Sequence, residues 1–288
     1  VQSLPVASFG EGVARSCQTS RIGRVVGAFS SGFYVATDQS VFAIGSSTIP
    51  AGPIPLRLAR QLPLKVAEGS AVILDSNRIQ VESAVIKLPS DRRYNPGRPS
   101  PESLASIAPS LSGFDAVEYI PDDIIAIWEE VRLAVADADL KTAASLLQGR
   151  GMGLTPTGDD ALAGLILFVH WANPKSNLPF EVAHDVSSTS LSRSFLIWAA
   201  AGQSIEPVHD MIEAATELTS TARSTDRFEN ICNQIVSIGN TSGRGLLAGL
   251  GLAAAHWPDK HYDLPEFDQK PSIPHEQTTA GQTCAKSR

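Results

Sequence analysis

One short segment of the chain occurs twice. Thr157-Gly-Asp-Asp-Ala-Leu-Ala-Gly-Leu-Ile-Leu167 aligns without gaps on Ser242-Gly-Arg-Gly-Leu-Leu-Ala-Gly-Leu-Gly-Leu252, 85 residues further on, with six of the eleven positions identical. Small polar residues precede each copy, Thr155-Pro156 in the first and Asn240-Thr241 in the second. A helix that is apolar on nearly every side has no solvent face and must be buried. The shared Ala-Gly positions carry little or no side chain, so two backbones can approach closely. The pattern predicts two pseudo-equivalent buried helices that pack together, with both N-termini beside one cleft.

The rest of the chain divides by hydrophobic period. Between about 20 and 90 the apolar residues come in short β-branched or aromatic runs: 24–29, 32–36, 40–45, 70–74 and 79–86. Turn-forming residues such as Thr37-Asp38, Gly45-Ser46 and Asp75-Ser76-Asn77 separate them, which is strand and hairpin chemistry. Residues 89–102, rich in proline and charge, read as a linker. From about 121 the period becomes helical, with Ile124, Ile127, Trp128 and Val131 on one face. Asp137 is placed to cap a next helix, which Gly149 ends. Further helices are expected at 190–201 and 205–219, and Asp226 to Glu229 has capping-box spacing before another. The expected fold class is therefore α+β. An N-terminal segment (1–20) leads into a small β barrel or sandwich-like domain (21–100), then a mainly α-helical domain (101–257) and a polar, disordered tail (258–288).

Composition narrows the function. With 43% hydrophobic residues the chain has material for a core. Its net charge of −7, with no basic stripe, argues against a nucleic-acid binder. The largest basic cluster, Arg92-Arg93 with Arg98, reads as a solvated loop. Cys17, Cys232 and Cys284 are too scattered for a disulfide framework or a zinc site. The longest apolar helix candidate, Ala161–Ala172, falls short of the roughly 20 residues a bilayer requires. No signal-peptide pattern opens the sequence. A cytoplasmic protein with no membrane and no nucleic-acid partner is expected.

Chemistry concentrates at the two turns. A helix N-terminus presents unpaired N–H groups and partial positive charge, a ready anion site. The first turn offers Gly153, Thr155, Thr157, Gly158 and the adjacent carboxylates Asp159 and Asp160. Gly158 would leave room for a ligand at the backbone. The carboxylates repel bare phosphate; they suit an amide N–H, or a divalent metal such as magnesium bridging to phosphate. The second turn offers Asn240, Thr241, Ser242, Gly243 and Arg244, the better oxyanion site because arginine donates a fork of hydrogen bonds. Ser190, Ser192 and Arg193 could extend an anion-binding wall. The expected site is one cleft with an acidic and a basic wall, Asp159, Asp160 and Arg244 being its catalytic candidates. Plain helix capping explains each turn taken alone; two matching turns favour a site. The histidines show no triad or metal-ligand spacing, and the glycines no nucleotide fingerprint.

At these residues the sequence resembles the bacterial AllH-like family, which includes a subunit associated with oxamate carbamoyltransferase in anaerobic allantoin use. The resemblance rests on Gly153-Leu-Thr-Pro-Thr-Gly-Asp-Asp-Ala-Leu-Ala-Gly164, on Thr189-Ser-Leu-Ser-Arg193 with Ala199-Ala-Ala-Gly202, and on Gly239-Asn-Thr-Ser-Gly-Arg-Gly-Leu-Leu-Ala-Gly249. Thr157 stands where the family pattern has serine, and Asn240 where it commonly has histidine. The resemblance implies a transferase that interconverts oxalurate plus phosphate with oxamate plus carbamoyl phosphate. It also implies a small anionic substrate, and either other protein subunits or a homo-oligomer as partners. Catalysis would then be positioning and electrostatic stabilisation, without a nucleophilic side chain. The alternatives are a non-catalytic partner subunit and a small-molecule-binding protein or sensor.

Overall fold

The computed structural model describes residues 2–61, 66–218 and 222–258. Beyond residue 258, the tail expected at 258–288 lies outside the described residues, as does Cys284. The fold is α+β, a nine-stranded sheet followed by a helical region.

In chain order the sheet comprises β1 (Gln2–Leu4), β2 (Val6–Phe9), helix α1 (Glu11–Ser16), β3 (Arg21–Phe29), β4 (Gly32–Ala36), β5 (Val41–Gly45), β6 (Pro55–Leu58), β7 (Ala71–Asp75), β8 (Arg78–Val81) and β9 (Ala84–Lys87). Their spatial order is β1-β9-β8-β7-β3-β4-β5-β6-β2. The first two strands thus occupy opposite edges although only Pro5 separates them. Neighbouring Cα atoms are about 3.8 Å apart, so the edges must meet and the sheet rolls into a nearly closed barrel. Pro5 has no N–H to leave unpaired at this corner, and its carbonyl accepts from the Ala59 N–H at 2.9 Å.

Local chemistry sets the hairpins. Ser76 (φ 38°) and Asn77 (φ 68°) form the two-residue turn between β7 and β8. Left-handed backbone at both positions matches the twist of the flanking strands. The run 79–86, read from sequence as one strand, breaks at Glu82 (φ 50°) into β8 and β9. Sequence patterning gives no element within 1–20. The first two strands there are only three and four residues long, and pairing with β9 and β6 is what makes them strands.

The helical region runs α2 (Pro101–Ser112), α3 (Asp122–Ile125), α4 (Trp128–Ala136), α5 (Leu140–Leu147), α6 (Thr157–Ala172), α7 (Leu178–Asp185), α8 (Ser190–Ala200), α9 (Glu206–Thr216), α10 (Ala222–Val236) and α11 (Ser242–His256). The helix expected from 121 is broken between α3 and α4, yet Ile124, Trp128 and Val131 are buried as the spacing predicts. Asp139, not Asp137, caps α5, accepting from the Thr142 N–H at 3.0 Å. Asp137 follows the last turn of α4. Gly149, at φ 68°, follows the end of α5 as expected. Asp226 to Glu229 lies inside α10 and is not a helix start.

Two hydrophobic clusters form the interior. One surrounds α6 and α11. The other fills the sheet and also takes Leu191, Trp198 and Ala201 from α8 and its C-terminal end. Helix α8 therefore seats the sheet against the helices. Among the described residues, no helix is long and apolar enough to cross a membrane.

Candidate functional site

The two repeat helices lie side by side and parallel. A Cβ added to Gly245 would fall 3.0 Å from the Thr157 carbonyl oxygen, and one on Gly249 would fall 1.8 Å from that of Ala161. One on Gly164 would fall 2.1 Å from the Leu246 oxygen. Residue numbers rise together along the contact, so both N-termini emerge at the same end. There the hydroxyls of Thr157 and Thr241 are 2.8 Å apart, and those of Thr155 and Ser242 are 3.1 Å apart. The predicted meeting of the two turns is realised.

The repeat is larger than the sequence alignment. On Gly158 a Cβ would lie 2.0 Å from the Leu147 oxygen, and on Gly243 1.7 Å from the Ile235 oxygen. Both glycines admit the backbone of the preceding helix, so the repeating unit is helix–turn–helix: α5–α6 and α10–α11. This corrects two expectations. The space over Gly158 and Gly243 is filled by protein rather than open to a ligand. Their N–H groups are also spent, on the carbonyls of Arg150 at 2.8 Å and Ile238 at 3.1 Å. They are therefore not free anion donors.

The two acidic neighbours have different surroundings. Asp159 is 2% exposed. Its Oδ1 accepts from the Gly149 N–H at 2.7 Å and its Oδ2 from the Ser188 hydroxyl. It ties the end of α5 to the entry of α8, and both of its oxygens are engaged. Asp160 has a buried Oδ2 with no hydrogen-bond partner. Burial pushes its pKa up to about 8; the hydroxyls of Ser242 and Thr155 pull down and the Asp159 charge pushes up. The carboxyl is thus largely protonated near neutral pH. Its counterpart in the repeat is Gly245, whose added Cβ would lie 3.2 Å from the Asp160 Cβ. The missing side chain on α11 makes room for the carboxyl on α6.

The basic wall does not form. Arg244 donates through Nη2 to the carbonyls of Glu118 at 2.9 Å and Ile120 at 3.3 Å, and no ion pair joins it to Asp159 or Asp160. Arg193 likewise donates to the Val186 carbonyl at 3.2 Å. The reason is local: each guanidinium satisfies carbonyls at a neighbouring chain reversal. Thr189 caps α8 by accepting from the Ser192 N–H at 3.0 Å, and its hydroxyl donates to the Leu154 carbonyl at 2.6 Å. Ser192 is buried with an unpartnered hydroxyl, while Ser190 and Asn240 are exposed. Gly153 (φ 101°) is exposed with open space around it.

No group of three or more His, Cys, Asp or Glu side chains converges on a metal position among the described residues. The adjacent carboxylates Asp159 and Asp160 are divided between a latch and a protonated acid.

Three further residues belong to the site. Asp123 of α3 accepts through Oδ2 from the Thr157 hydroxyl at 3.1 Å; the sequence shows it only as an acidic first-turn residue. Ser188 holds Asp159. Tyr34 of β4 comes from the sheet, its pKa raised by burial and then by the Asp160 charge. The turn before α6 rests on the same strand pair, since a Cβ on Gly27 would lie 2.9 Å from Leu154 Cδ1. Nothing in a single sequence links residue 34 to residue 160.

Residues 147–254 match the family model described as oxamate carbamoyltransferase subunit AllH. The AllH match runs from the end of α5 through nearly all of α11, so both repeat turns lie within it. It bears out the resemblance carried by the three sequence blocks. No solved structure matches the chain.

Proposed function

We propose that this chain works as an AllH-type subunit of a carbamoyltransferase acting between oxalurate and oxamate. In that reading the junction of the α6 and α11 N-termini receives the carbamoyl group. The observation that carries it is Asp160 Oδ2, buried and without a partner beside two hydroxyls. An unsatisfied buried polar atom is costly, and a ligand that pairs with it recovers that cost. A protonated carboxyl and a primary amide are complementary. The acid O–H donates to the amide carbonyl, and the other acid oxygen accepts an amide N–H. Thr155 and Ser242, whose hydroxyls are 3.1 Å apart beside Asp160, would turn to hydrogen-bond the remaining carbamoyl atoms. The reaction itself exchanges one bond for another. The carbamoyl carbon leaves the oxamate nitrogen of oxalurate and bonds to a phosphate oxygen, and the nitrogen takes up a proton. Because Gly158 and Gly243 spend their N–H groups internally and Arg244 is turned to the Glu118 and Ile120 carbonyls rather than to the junction, the phosphate and carboxylate charges bound there would fall to the other subunits of the assembly. The AllH description, which names a subunit, fits that division of labour.

The test is phosphate-dependent formation of carbamoyl phosphate from oxalurate by the assembled subunits. Asp160→Ala should lower turnover at least about tenfold while the complex still assembles. Unchanged turnover in an intact complex removes Asp160 from the reaction.

A further inference from the structure

A cleft lies at the other end of α6 from the junction. Its volume is about 270 Å³, and it is lined by Arg15 of α1, by Arg93, Tyr94 and Arg98 from the segment before α2, by Phe180 of α7 and by Trp198 of α8. His170, behind its wall, stands 13 residues along α6 from Thr157. At 1.5 Å per residue the two sites are about 20 Å apart.

The charge balance here is unlike that of the whole molecule. Glu11 pairs with both Arg15 at 3.2 Å and Arg93 at 3.1 Å. Arg98 donates to the Ala201 carbonyl at 3.1 Å and makes no ion pair with a carboxylate among the described residues. Three guanidinium groups and one carboxylate thus line the cleft, with the charges of Glu206 and Asp210 reaching the Tyr94 hydroxyl, on a chain whose net charge is −7. The Arg15 guanidinium lies 5.5 Å from the centre of the Trp198 ring, and Phe180 and Tyr94 add further aromatic wall. Gln203 also lines the cleft, with a buried Oε1 that has no hydrogen-bond partner. His170 behind the wall is fully buried, with both ring nitrogens unpartnered. The Arg92-Arg93/Arg98 cluster that reads as a solvated loop in sequence is therefore drawn, at Arg93 and Arg98, onto an aromatic pocket.

We infer that this cleft binds a small planar carboxylate. Its carboxylate meets Arg93 and Arg98, its flat body lies along the aromatic wall, and a donor on its far side reaches Gln203 Oε1. Guanidinium forks suit a planar carboxylate geometrically as well as electrostatically.

The probes are benzoate, 4-hydroxybenzoate and the neutral isostere benzamide, followed by tryptophan fluorescence and melting temperature on the full chain. Both carboxylates should bind saturably, 4-hydroxybenzoate more tightly, and benzamide should not bind. Arg98→Ala and Arg93→Ala should each weaken binding about tenfold; the Arg93 side chain is half-exposed, so that variant tests the idea even if Arg98→Ala loses stability. Asp160→Asn should leave carboxylate binding unchanged. The assignment is overturned if benzamide binds as well as benzoate, if no carboxylate binds, or if both arginine variants bind normally. Loss of binding in Asp160→Asn overturns it too, by moving the ligand to the α6–α11 junction.

Discussion

The hydroxyls of Thr157 and Thr241 stand 2.8 Å apart across the junction of the two repeat helices, and Thr157 also donates to Asp123. Thr157 is fully buried. Thr157→Val keeps the shape and removes the hydroxyl with its bonds to Thr241 and Asp123, each worth about 0.5–1.5 kcal/mol. Thr157→Ser keeps both bonds and gives up one methyl, about 1 kcal/mol. Urea denaturation should therefore rank wild type, then Ser, then Val. If Ser is the more damaging, methyl packing rather than the hydroxyl pair holds this junction.

Asp160 makes the fold pay for its site, and pH exposes that cost. Its folded pKa is near 8 and its unfolded value near 4. Between these values the native state binds the extra proton, so stability falls as pH rises, by up to about 1.4 kcal/mol per pH unit. Above about 8 the loss is complete. Asp160→Asn is neutral in both states and removes this slope. Denaturation at pH 6.5 and pH 8 should show wild type losing stability and the Asn variant losing none, its His170 and His209 rings adding a few tenths of a kcal/mol each as the unfolded histidines lose their protons. Equal slopes would mean that Asp160 is solvated and ionised. Asn keeps one donor and one acceptor in the place of the protonated acid, so turnover should survive in Asp160→Asn and fall in Asp160→Ala; equal loss in both would mean that the Asp160 proton is itself transferred.

Much of this was readable because it is local. Burial of α6 and α11, their contact and the meeting of their N-termini follow from the repeat and its glycines. The hairpin at Ser76-Asn77 follows from turn chemistry. Other features depend on where distant segments arrive. Leu4 and Phe9 are strand residues only because β9 and β6 reach them. Arg244 turns to the Glu118 and Ile120 carbonyls because the loop before α3 passes beside α11. Gly158 was legible as a position requiring no side chain, but its neighbour is the Leu147 backbone rather than a substrate. Residue type showed the need for space; only the fold shows what occupies it.

The Gly249 contact is the tightest across the repeat helices. A Cβ there would sit 1.8 Å from the Ala161 oxygen and 3.0 Å from the Leu165 nitrogen. Backbone cannot swing aside as a side-chain end can, so the helices must separate. Gly249→Ala should destabilise by about 1–3 kcal/mol or more through overpacking, against the gain of about 1 kcal/mol that alanine brings to an ordinary helix interior. Guanidinium denaturation of this variant and of Gly97→Ala, where no atom lies within 4 Å of the added Cβ, makes the comparison. Similar stability in the two would show that α6 and α11 are not in backbone contact.

A buried histidine, His170, and a half-buried one, His209, should govern the acid side of the stability profile. Burial presses His170 and His209 down to about 4, with Arg98 adding to the effect on His170. His209 accepts from the Ser204 N–H at 3.0 Å, so its Nδ1 carries the proton and donates to the Gly97 carbonyl at 3.2 Å. That ring is held neutral by geometry as well as burial. Below about pH 6.5 the unfolded chain takes up protons that the native rings refuse. Stability therefore falls as pH drops from about 6.5 to about 4, by about 1.4 kcal/mol per pH unit for each ring. The Asp160 slope has the opposite sign and offsets part of this. His170→Leu loses no hydrogen bond, because both ring nitrogens lack partners, and it removes one of the two acid slopes. Midpoints measured between pH 4 and 6.5 should decline less steeply in the variant than in wild type. An unchanged decline would mean that His170 gains its proton in the folded protein and is not the neutral buried ring described above.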